Sequence, residues 1–221
     1  MNVLTSAPVA PLLDRLFAEA EEQSPLDSPA FRSMSSEERY RLMRSKSDYR
    51  ELYANLKDFA IAVSPDTGRL LYMLARMGRA RSIVEFGTSF GISSLHLASA
   101  LRENGGGRLI TTEFEPAKAA RARQAFAEAG LADLIELREG DALETLASDL
   151  PDTIDLLLLD GAKSLYADVL DLVESRLRPG AIIVADNADY CHEYLERIGA
   201  RANGYLSLSF TDDVELSIRL G

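Results

Sequence analysis

Residues with oxygen-bearing side chains follow two of the most apolar segments of this 221-residue chain. Asp160 ends "IDLLLLD", and Asp186 and Asn187 end "AIIVADN". Carboxylate and amide oxygens, without histidine or cysteine beside them, suit Mg²⁺ or a similar hard cation. If the two segments are neighbouring parallel strands, the three side chains meet at one edge of a sheet. The pattern is therefore compatible with a divalent-cation site, and unrelated turn residues would explain the spacing equally well.

A second group of residues has the types needed to hold a nucleoside. The turn "EFGTSFG" contains Gly87 and Gly91, which let the backbone approach a ligand closely. It does not match the G-x-G-x-x-G fingerprint of dinucleotide-binding folds. Glu113 ends "GRLITTE", where an acid can accept hydrogen bonds from both hydroxyls of a ribose. Asp141 could accept from an adenine amino group, with the N–H of Ala142 donating, or it could cap the following helix; the two roles are compatible.

The segments that carry these residues alternate between strand and helix patterns from Ser82 onward. Five apolar segments read as strands, each followed by a helical pattern: "SIVEF", "GRLITTE", "LIELREG", "IDLLLLD" and "AIIVAD". Two further segments, "YLSLSF" and "VELSIRL", alternate with period two around "TDD" and predict an antiparallel hairpin. We therefore expect an α/β fold with a Rossmann-like, doubly wound, mostly parallel seven-stranded sheet. Ligands of such sheets bind at the carboxyl ends of the strands.

The first 80 residues have a helical texture. We expect helices over "PLLDRLFAEAEEQ", "SSEERYRLMRSKSDYRELYANL" and "SPDTGRLLYMLARMG", with a loop at "QSPLDSP" and Ser64 as the N-cap of the third helix. The Met and aromatic residues of "LLYMLARM" are interpreted as core residues at helical spacing. This divides the chain into an N-terminal helical segment, residues 1–62, and a main domain, residues 63–221.

Composition excludes several classes of protein. The formal net charge is −11 and no run of Lys and Arg forms a basic face, which disfavours a nucleic-acid partner. The single cysteine, Cys191, excludes an intramolecular disulfide framework and a Cys-based zinc site. The N-terminus lacks the features of a signal peptide, and no window has the apolar length of a membrane span. We therefore expect a soluble cytoplasmic protein without a membrane partner.

From about Val63 to Asn187 the chain resembles the cation-dependent O-methyltransferase family, which includes catechol and caffeoyl-coenzyme A O-methyltransferases. The matching stretches are "VSPDTGRLL", "IVEFGTSFGISSL", "TTEFEP", "GDA", "LLLLDGAKSLY" and "GAIIVADN". The resemblance implies an enzyme of the class I methyltransferase fold that uses S-adenosylmethionine and Mg²⁺, or another divalent cation.

The resemblance also implies roles for individual residues. Around the methionine part of the cofactor it places Val63, Glu85, Gly87, Thr88 and Ser93. It assigns Glu113 to the ribose, and Asp141 and Ala142 to the adenine. The implied metal ligands are Asp160, Asp186 and Asn187, with Asp160 also bordering the cofactor, and Lys163 is the implied general base.

The implied acceptor is a small hydroxylated molecule with vicinal oxygens, and the implied assembly is a homodimer. Three departures from the family bear on the acceptor. Ala162 stands where an acid is usual, the segment after Asn187 is short, and the region before Val63 matches only loosely. His192 is interpreted as a helix-surface residue and His96 as a packing residue.

Two other functions remain open at this stage. The protein could be a methyltransferase that needs no metal, its acids serving only the structure. It could also be a non-catalytic module that binds the cofactor and dimerises through its N-terminal helices. A nucleic-acid methyltransferase is disfavoured by the acidic composition.

Overall fold

The computed structural model describes residues 2–22, 25 and 28–221, and within this part it confirms the predicted fold class. Four residues of the expected loop "QSPLDSP", numbers 23, 24, 26 and 27, lie outside the described residues. The described chain forms one seven-stranded sheet with helices on both faces.

The strands follow the apolar segments of the sequence. They are β1 (Ser82–Phe86), β2 (Arg108–Glu113), β3 (Ile135–Glu139), β4 (Ile154–Leu159), β5 (Leu177–Asp186), β6 (Tyr205–Ser209) and β7 (Val214–Arg219). Their order across the sheet is β3-β2-β1-β4-β5-β7-β6. The first five are parallel, and β7 pairs antiparallel with both β5 and β6. The order reverses between β1 and β4, so the ligand crevice of this topology opens beside their carboxyl ends.

The helices cover the two faces of the sheet and the N-terminal region. They are α1 (Val9–Glu22), α2 (Pro29–Ser33), α3 (Ser36–Met43), α4 (Tyr49–Ala54), α5 (Pro65–Met77), α6 (Ile92–Glu103), α7 (Pro116–Glu128), α8 (Ala142–Thr145), α9 (Tyr166–Val173) and α10 (His192–Gly199). Short 3₁₀ turns span Ala132–Leu134, Lys163–Leu165, Glu174–Arg176, Ala188–Tyr190 and Arg201–Asn203. Ser64 caps α5 as expected, since its Oγ accepts from the N–H of Thr67 at 3.0 Å.

Two hydrophobic layers hold the sheet between the helices. On one face, residues of α1, α5, α6 and α7 pack against β1, β2 and β4. On the other face, α8, α9 and α10 pack against the central strands. His96, on α6, is buried beside the ring of Phe17, as the packing interpretation expected. Burial lowers the pKa of His96, which favours its neutral form.

The helix expected over residues 35–56 is two helices, α3 and α4, with a break between them. Within the break, the hydroxyl of Ser45 accepts from the N–H groups of Ser47 and Asp48. These local bonds offer the backbone an alternative to the helical ladder. Lys46, also in the break, pairs with Asp168 and Glu193 at 2.7 and 2.9 Å.

Two other expectations were wrong in part. Strand β5 begins at Leu177, within the stretch expected to end the preceding helix, because Leu177 pairs with Ile154 across a register shift. On α5, Met73 and Met77 are 55% and 78% exposed rather than in the core, whereas Leu71 of the same stretch is fully buried.

Candidate active site

A large cavity lies at the carboxyl edge of the sheet, with about 760 Å³ of empty space between its walls and in its open mouth. Its wall includes the residues that follow four parallel strands, in the spatial order β3, β2, β1, β4. The predicted site residues that line it are Gly87, Glu113, Asp141, Ala142, Asp160 and Lys163. The topology therefore brings together half of the twelve predicted site residues on this wall, which does not include Asp186 or Asn187.

The turn after β1 forms the floor of this cavity. Gly87 has φ +104°, and a Cβ on it would lie 2.6 Å from the carbonyl oxygen of Asp160. Glycine is required here both for the backbone conformation and for the close approach of the β4 end. Ser89 also has a positive φ, of 48°, which directs its N–H to Glu113.

Glu113 is fixed by the backbone on both sides. Its Oε2 accepts from the N–H of Ser89 at 2.7 Å, and its Oε1 accepts from the N–H of Glu115 at 2.9 Å. Burial raises the pKa of this carboxyl, while the two N–H donors and the nearby Lys118 oppose the rise. The carboxylate still has lone pairs with which to accept ligand hydroxyls.

Glu85 lies below the cavity rather than on its wall. Its side chain is completely buried in β1, and its carboxylate accepts from the hydroxyls of Ser93, at 2.5 Å, and Ser94. Burial raises the pKa of Glu85 to about 7, against the lowering effect of these hydroxyls. Glu85 therefore positions the start of α6, including Ser93.

A smaller cavity of about 210 Å³ adjoins the large one, and Ile61 and Ser89 line both. Val63, Thr88 and Ser93 lie on its wall. Thr88 is held in place because its hydroxyl donates to the carbonyl of Thr112 at 2.9 Å. The residues assigned to the methionine part of the cofactor thus surround this second space, apart from Glu85 and Gly87.

Asp141 has the capping role that was one of its two predicted roles. Its Oδ1 accepts from the N–H of Leu143 at 2.9 Å at the start of α8. Its Oδ2 accepts from the hydroxyl of Tyr49 at 2.9 Å and from the guanidinium of Arg50. Burial acts to raise the pKa of Asp141, but these donors outweigh it and hold the pKa below its ordinary value.

Asp160, Lys163 and Asp186 form a charged group at the ends of β4 and β5. Lys163 donates to Oδ1 of Asp160 at 2.8 Å, and both side chains are more than 90% buried. Burial and the neighbouring carboxylate of Asp160 raise the pKa of Asp186 to about 7. Asn187 follows in the left-handed conformation, with φ 50°, and its amide donates to Asp213 at 3.4 Å.

The ammonium form of Lys163 is favoured by its surroundings. Burial opposes the charge, but Asp160, Tyr166 and Asp186 outweigh it and raise the pKa of Lys163 well above its ordinary value. Among the described residues, no group of three or more His, Cys, Asp or Glu side chains could hold a metal ion. The predicted metal site therefore depends on the amide of Asn187 as its third ligand.

Several residues on the cavity wall were not singled out in the sequence. Tyr49 and Tyr53 come from α4, in the segment that matched the family only loosely, and the hydroxyl of Tyr53 lies 3.4 Å from the carbonyl of Gly161. Lys118, from α7, also lines the cavity, and its charge acts on the carboxyl of Glu113. The tyrosines sit in a short helix whose position depends on tertiary contacts, so no local pattern could have identified them.

The short segment after Asn187 packs against α3. Tyr40 contacts the ring of Tyr190, with centroids 5.4 Å apart, and its hydroxyl lies 3.4 Å from Nε2 of His192. His192 begins α10 and is exposed, in agreement with its interpretation as a helix-surface residue.

The sheet order, with an antiparallel β7 inserted between β5 and β6, defines the class I methyltransferase fold. Residues 84–188 match a family described as "Methyltransferase domain". The chain is 24% identical, with a TM-score of 0.71, to a cofactor-bound protein from MTB, covering 98% of this chain and 94% of the other.

Comparison with proteins of named activity indicates which kind of methyltransferase this chain resembles. The chain is 37% identical over 131 residues to a catechol O-methyltransferase of Niastella koreensis, covering 58% of each protein. It is 28% identical, with a TM-score of 0.63, to the O-methyltransferase TomG of Streptomyces achromogenes, solved with SAM, over 92% of this chain and 99% of that one. These matches confirm the resemblance to the S-adenosylmethionine-dependent O-methyltransferases. The chain matches somewhat under 60% of the length of its curated relatives.

Proposed function

We propose that this protein transfers the methyl group of S-adenosylmethionine to a hydroxyl oxygen of a small molecule. The observation that carries the proposal is the shared cavity. It combines Glu113 and Asp141, which suit a nucleoside, with the buried pair of Lys163 and Asp160 further along the same edge of the sheet. The matched methyltransferase domain covers all four positions.

The chemistry requires an acceptor oxygen held in line with the methyl group. The cofactor, when bound, supplies a methyl carbon attached to a positively charged sulfur. As the acceptor oxygen forms its bond to that carbon, the carbon–sulfur bond breaks and the hydroxyl proton must leave. The chain contributes mainly by orienting the two molecules, which accounts for much of the rate of such reactions.

We propose Asp160, Asp186 and Asn187 as the ligands of a divalent cation. Two carboxylates and an amide are a donor set suited to Mg²⁺. The raised pKa of Asp186 is compatible with this role, since burial is its largest cause and the nearby carboxylate of Asp160 the next, and the charge of a bound cation would offset both. A bound cation would orient two vicinal acceptor oxygens and lower the pKa of the reacting hydroxyl.

Lys163 is proposed as the group that receives the proton. Its Nζ is buried, lines the cavity and is within hydrogen-bonding distance of Asp160. The carboxylates that favour its ammonium form are the same ones proposed to bind the cation. Neutralising their charge would lower the pKa of Lys163 toward the range in which the amine can accept a proton.

The N-terminal segment, residues 1–62, is proposed to shape the acceptor pocket in front of a methyltransferase domain over residues 63–221. Support comes from Tyr49 and Tyr53, which line the cavity, and from Lys46, whose ion pairs tie the segment to Asp168 and Glu193. An aromatic wall suits a phenolic acceptor such as a catechol. The relative named catechol O-methyltransferase supports this substrate class.

A homodimer and a cytoplasmic location are also proposed. The dimer is supported by an exposed apolar face formed by Leu206 and Leu208 of β6 and by Phe210, which follows it. For the location, the described residues contain no helix with the length and apolarity needed to cross a bilayer. The acidic net charge of −11 gives no support to a nucleic-acid partner.

The test is a methyl-transfer assay with labelled S-adenosylmethionine and a panel of catechol, caffeoyl and other vicinal-diol acceptors. We expect transfer to at least one acceptor with Mg²⁺ present, and its loss with a chelator. Asp186→Ala and Lys163→Ala should each lower the rate by about a hundredfold or more, because one loses a metal ligand and the other the proton acceptor.

Lys57→Ala is the control, since Lys57 is an exposed lysine of the N-terminal segment and should leave the rate unchanged. Activity that survives both the chelator and Asp186→Ala would remove the metal from the mechanism. A protein that binds the cofactor but methylates none of the acceptors, with or without metal, would support the non-catalytic alternative.

A further inference from the structure

Lys118 is a buried lysine on the wall of the large cavity. It lies in the first turn of α7, is 4% exposed, and lines the cavity together with Glu113 and Glu115. The other cations of the same helix behave differently. Arg121 pairs with Glu19 across the helix layer, and Arg123 pairs with Glu139 on the surface at 2.9 Å.

The ammonium of Lys118 has no hydrogen-bond or ion-pair partner among the described residues. Burial lowers the pKa of Lys118, and the charges of Glu113, Glu115 and Asp58 oppose that effect. The side chain is buried, but its Nζ is not among the fully enclosed polar atoms that lack a partner, so the ammonium reaches the open space of the cavity, where a bound ligand can accept from it. The charges of the surrounding acids stabilise the ammonium without contacting it. Its N–H donors therefore have no acceptor among the described residues.

The position of those donors indicates which ligand would use them. Lys118 lies beside Glu113, whose two oxygens are already oriented by the N–H groups of Ser89 and Glu115. A vicinal diol bound at Glu113 donates its protons to the carboxylate and keeps its oxygen lone pairs free. An ammonium beside the same diol can donate to those lone pairs.

We infer that Lys118 is a cofactor-binding residue that donates a hydrogen bond to the ribose hydroxyls, so that Glu113 and Lys118 hold the diol between an acceptor and a donor. The inference rests on the proposed function, since it assigns the nucleoside of S-adenosylmethionine to this part of the cavity. It adds a cation to a subsite that the sequence assigned to an acid alone.

The experiment measures the affinity of S-adenosylhomocysteine and of its 2′-deoxy and 3′-deoxy analogues by calorimetry. The proteins are the wild type, Lys118→Met, and the matched control Arg123→Met, which removes a surface charge from the same helix. Lys118→Met should weaken binding of the intact ligand about tenfold, the typical effect of losing one charge-assisted hydrogen bond. Arg123→Met should leave the affinity unchanged.

The ribose analogues separate a direct contact from a structural effect. Removing the hydroxyl that Lys118 contacts should weaken binding to the wild type more than binding to Lys118→Met. A second variant, Lys118→Gln, should show the same reduced sensitivity and covers the case in which Lys118→Met does not fold. The unfolding midpoint of the ligand-free variants should not fall, because a buried charge without a hydrogen-bond partner has been removed.

Equal affinity of the wild type and both Lys118 variants for the intact ligand would overturn this inference alone. So would a loss of affinity that is the same for the intact and the deoxy ligands. Failure of the wild type to bind S-adenosylhomocysteine would instead overturn the proposed function, and this inference with it.

Discussion

The carboxyl group of Glu85 is completely buried and accepts hydrogen bonds from Ser93 and Ser94. Burial raises its pKa to about 7. In the unfolded chain its pKa is close to 4.5. Between these two values the folded protein binds more protons at this site than the unfolded one. The contribution of Glu85 to stability is therefore fully present below pH 4.5 and is lost as the pH rises toward 7.

This loss of stability with rising pH should be absent in Glu85→Gln, which keeps the shape of the protonated side chain but does not titrate. Relative to the variant, the wild type should lose free energy of unfolding as the pH rises from about 5 to 7, by an amount on the order of 3 kcal/mol. Denaturant unfolding of the ligand-free proteins at several pH values measures this difference. Parallel stability curves for the two proteins would contradict the raised pKa of Glu85.

The sequence allowed the strand-end acids to be placed because parallel strands of such a sheet end at one edge. Glu113, Asp141 and Asp160 could be assigned to a common site on that ground, and the cavity brings them together. Lys118 and Arg50 could not be identified in the same way. A lysine on a charged helix and an arginine in a solvated one have no local feature that distinguishes them from surface residues.

At the scale of elements, the apolar pattern predicted the bounds of the central strand β1 better than those of β5 or of the N-terminal helices. β1 has the expected bounds, because its buried residues are continuous and lie between the polar Ser82 and Gly87 of the following turn. β5 begins earlier than expected, because Leu177 pairs with Ile154 of β4. The local sequence around Leu177 does not indicate this contact. The break between α3 and α4 depends on hydrogen bonds of Ser45 that compete with the helix.

Exposed apolar residues at the edge strand β6 predict the surface through which two copies of the chain would form a dimer. Leu206, Leu208 and Phe210 are each more than half exposed and occupy alternate positions, so they share one face. The register places Leu206 beside Ile218 of β7, which in turn lies beside Ile182 of β5. This apolar face therefore continues the sheet surface, and a second copy of the chain would cover it.

Leu208→Lys should shift the protein from dimer to monomer in sedimentation velocity, because it places a charge in the middle of that face. Ser209→Lys is the matched control, since it adds the same charge on the opposite face of the same strand, and should leave the dimer intact. A monomeric wild type, or a dimer that tolerates Leu208→Lys, would show that this face is not the dimer interface.

At the scale of the whole molecule, the proposed activity depends on one cavity that receives side chains from elements far apart in the sequence. Tyr49 comes from the N-terminal helices, Glu113 from the end of β2, and Lys163 from the turn after β4. The sheet order determines that Glu113, proposed to hold a nucleoside at the end of β2, and the charged pair at the end of β4 share this space. The two halves of the proposed reaction are therefore adjacent because of topology.

The most direct test of this claim is the affinity for S-adenosylhomocysteine of two variants at adjacent strand ends. Glu113 and Glu139 are register partners on β2 and β3, but only Glu113 lines the cavity. Glu113→Gln should weaken binding at least about tenfold, and Glu139→Gln should leave it nearly unchanged. A wild type that does not bind the ligand, or equal affinities for the two variants, would contradict the assignment of this cavity to the cofactor.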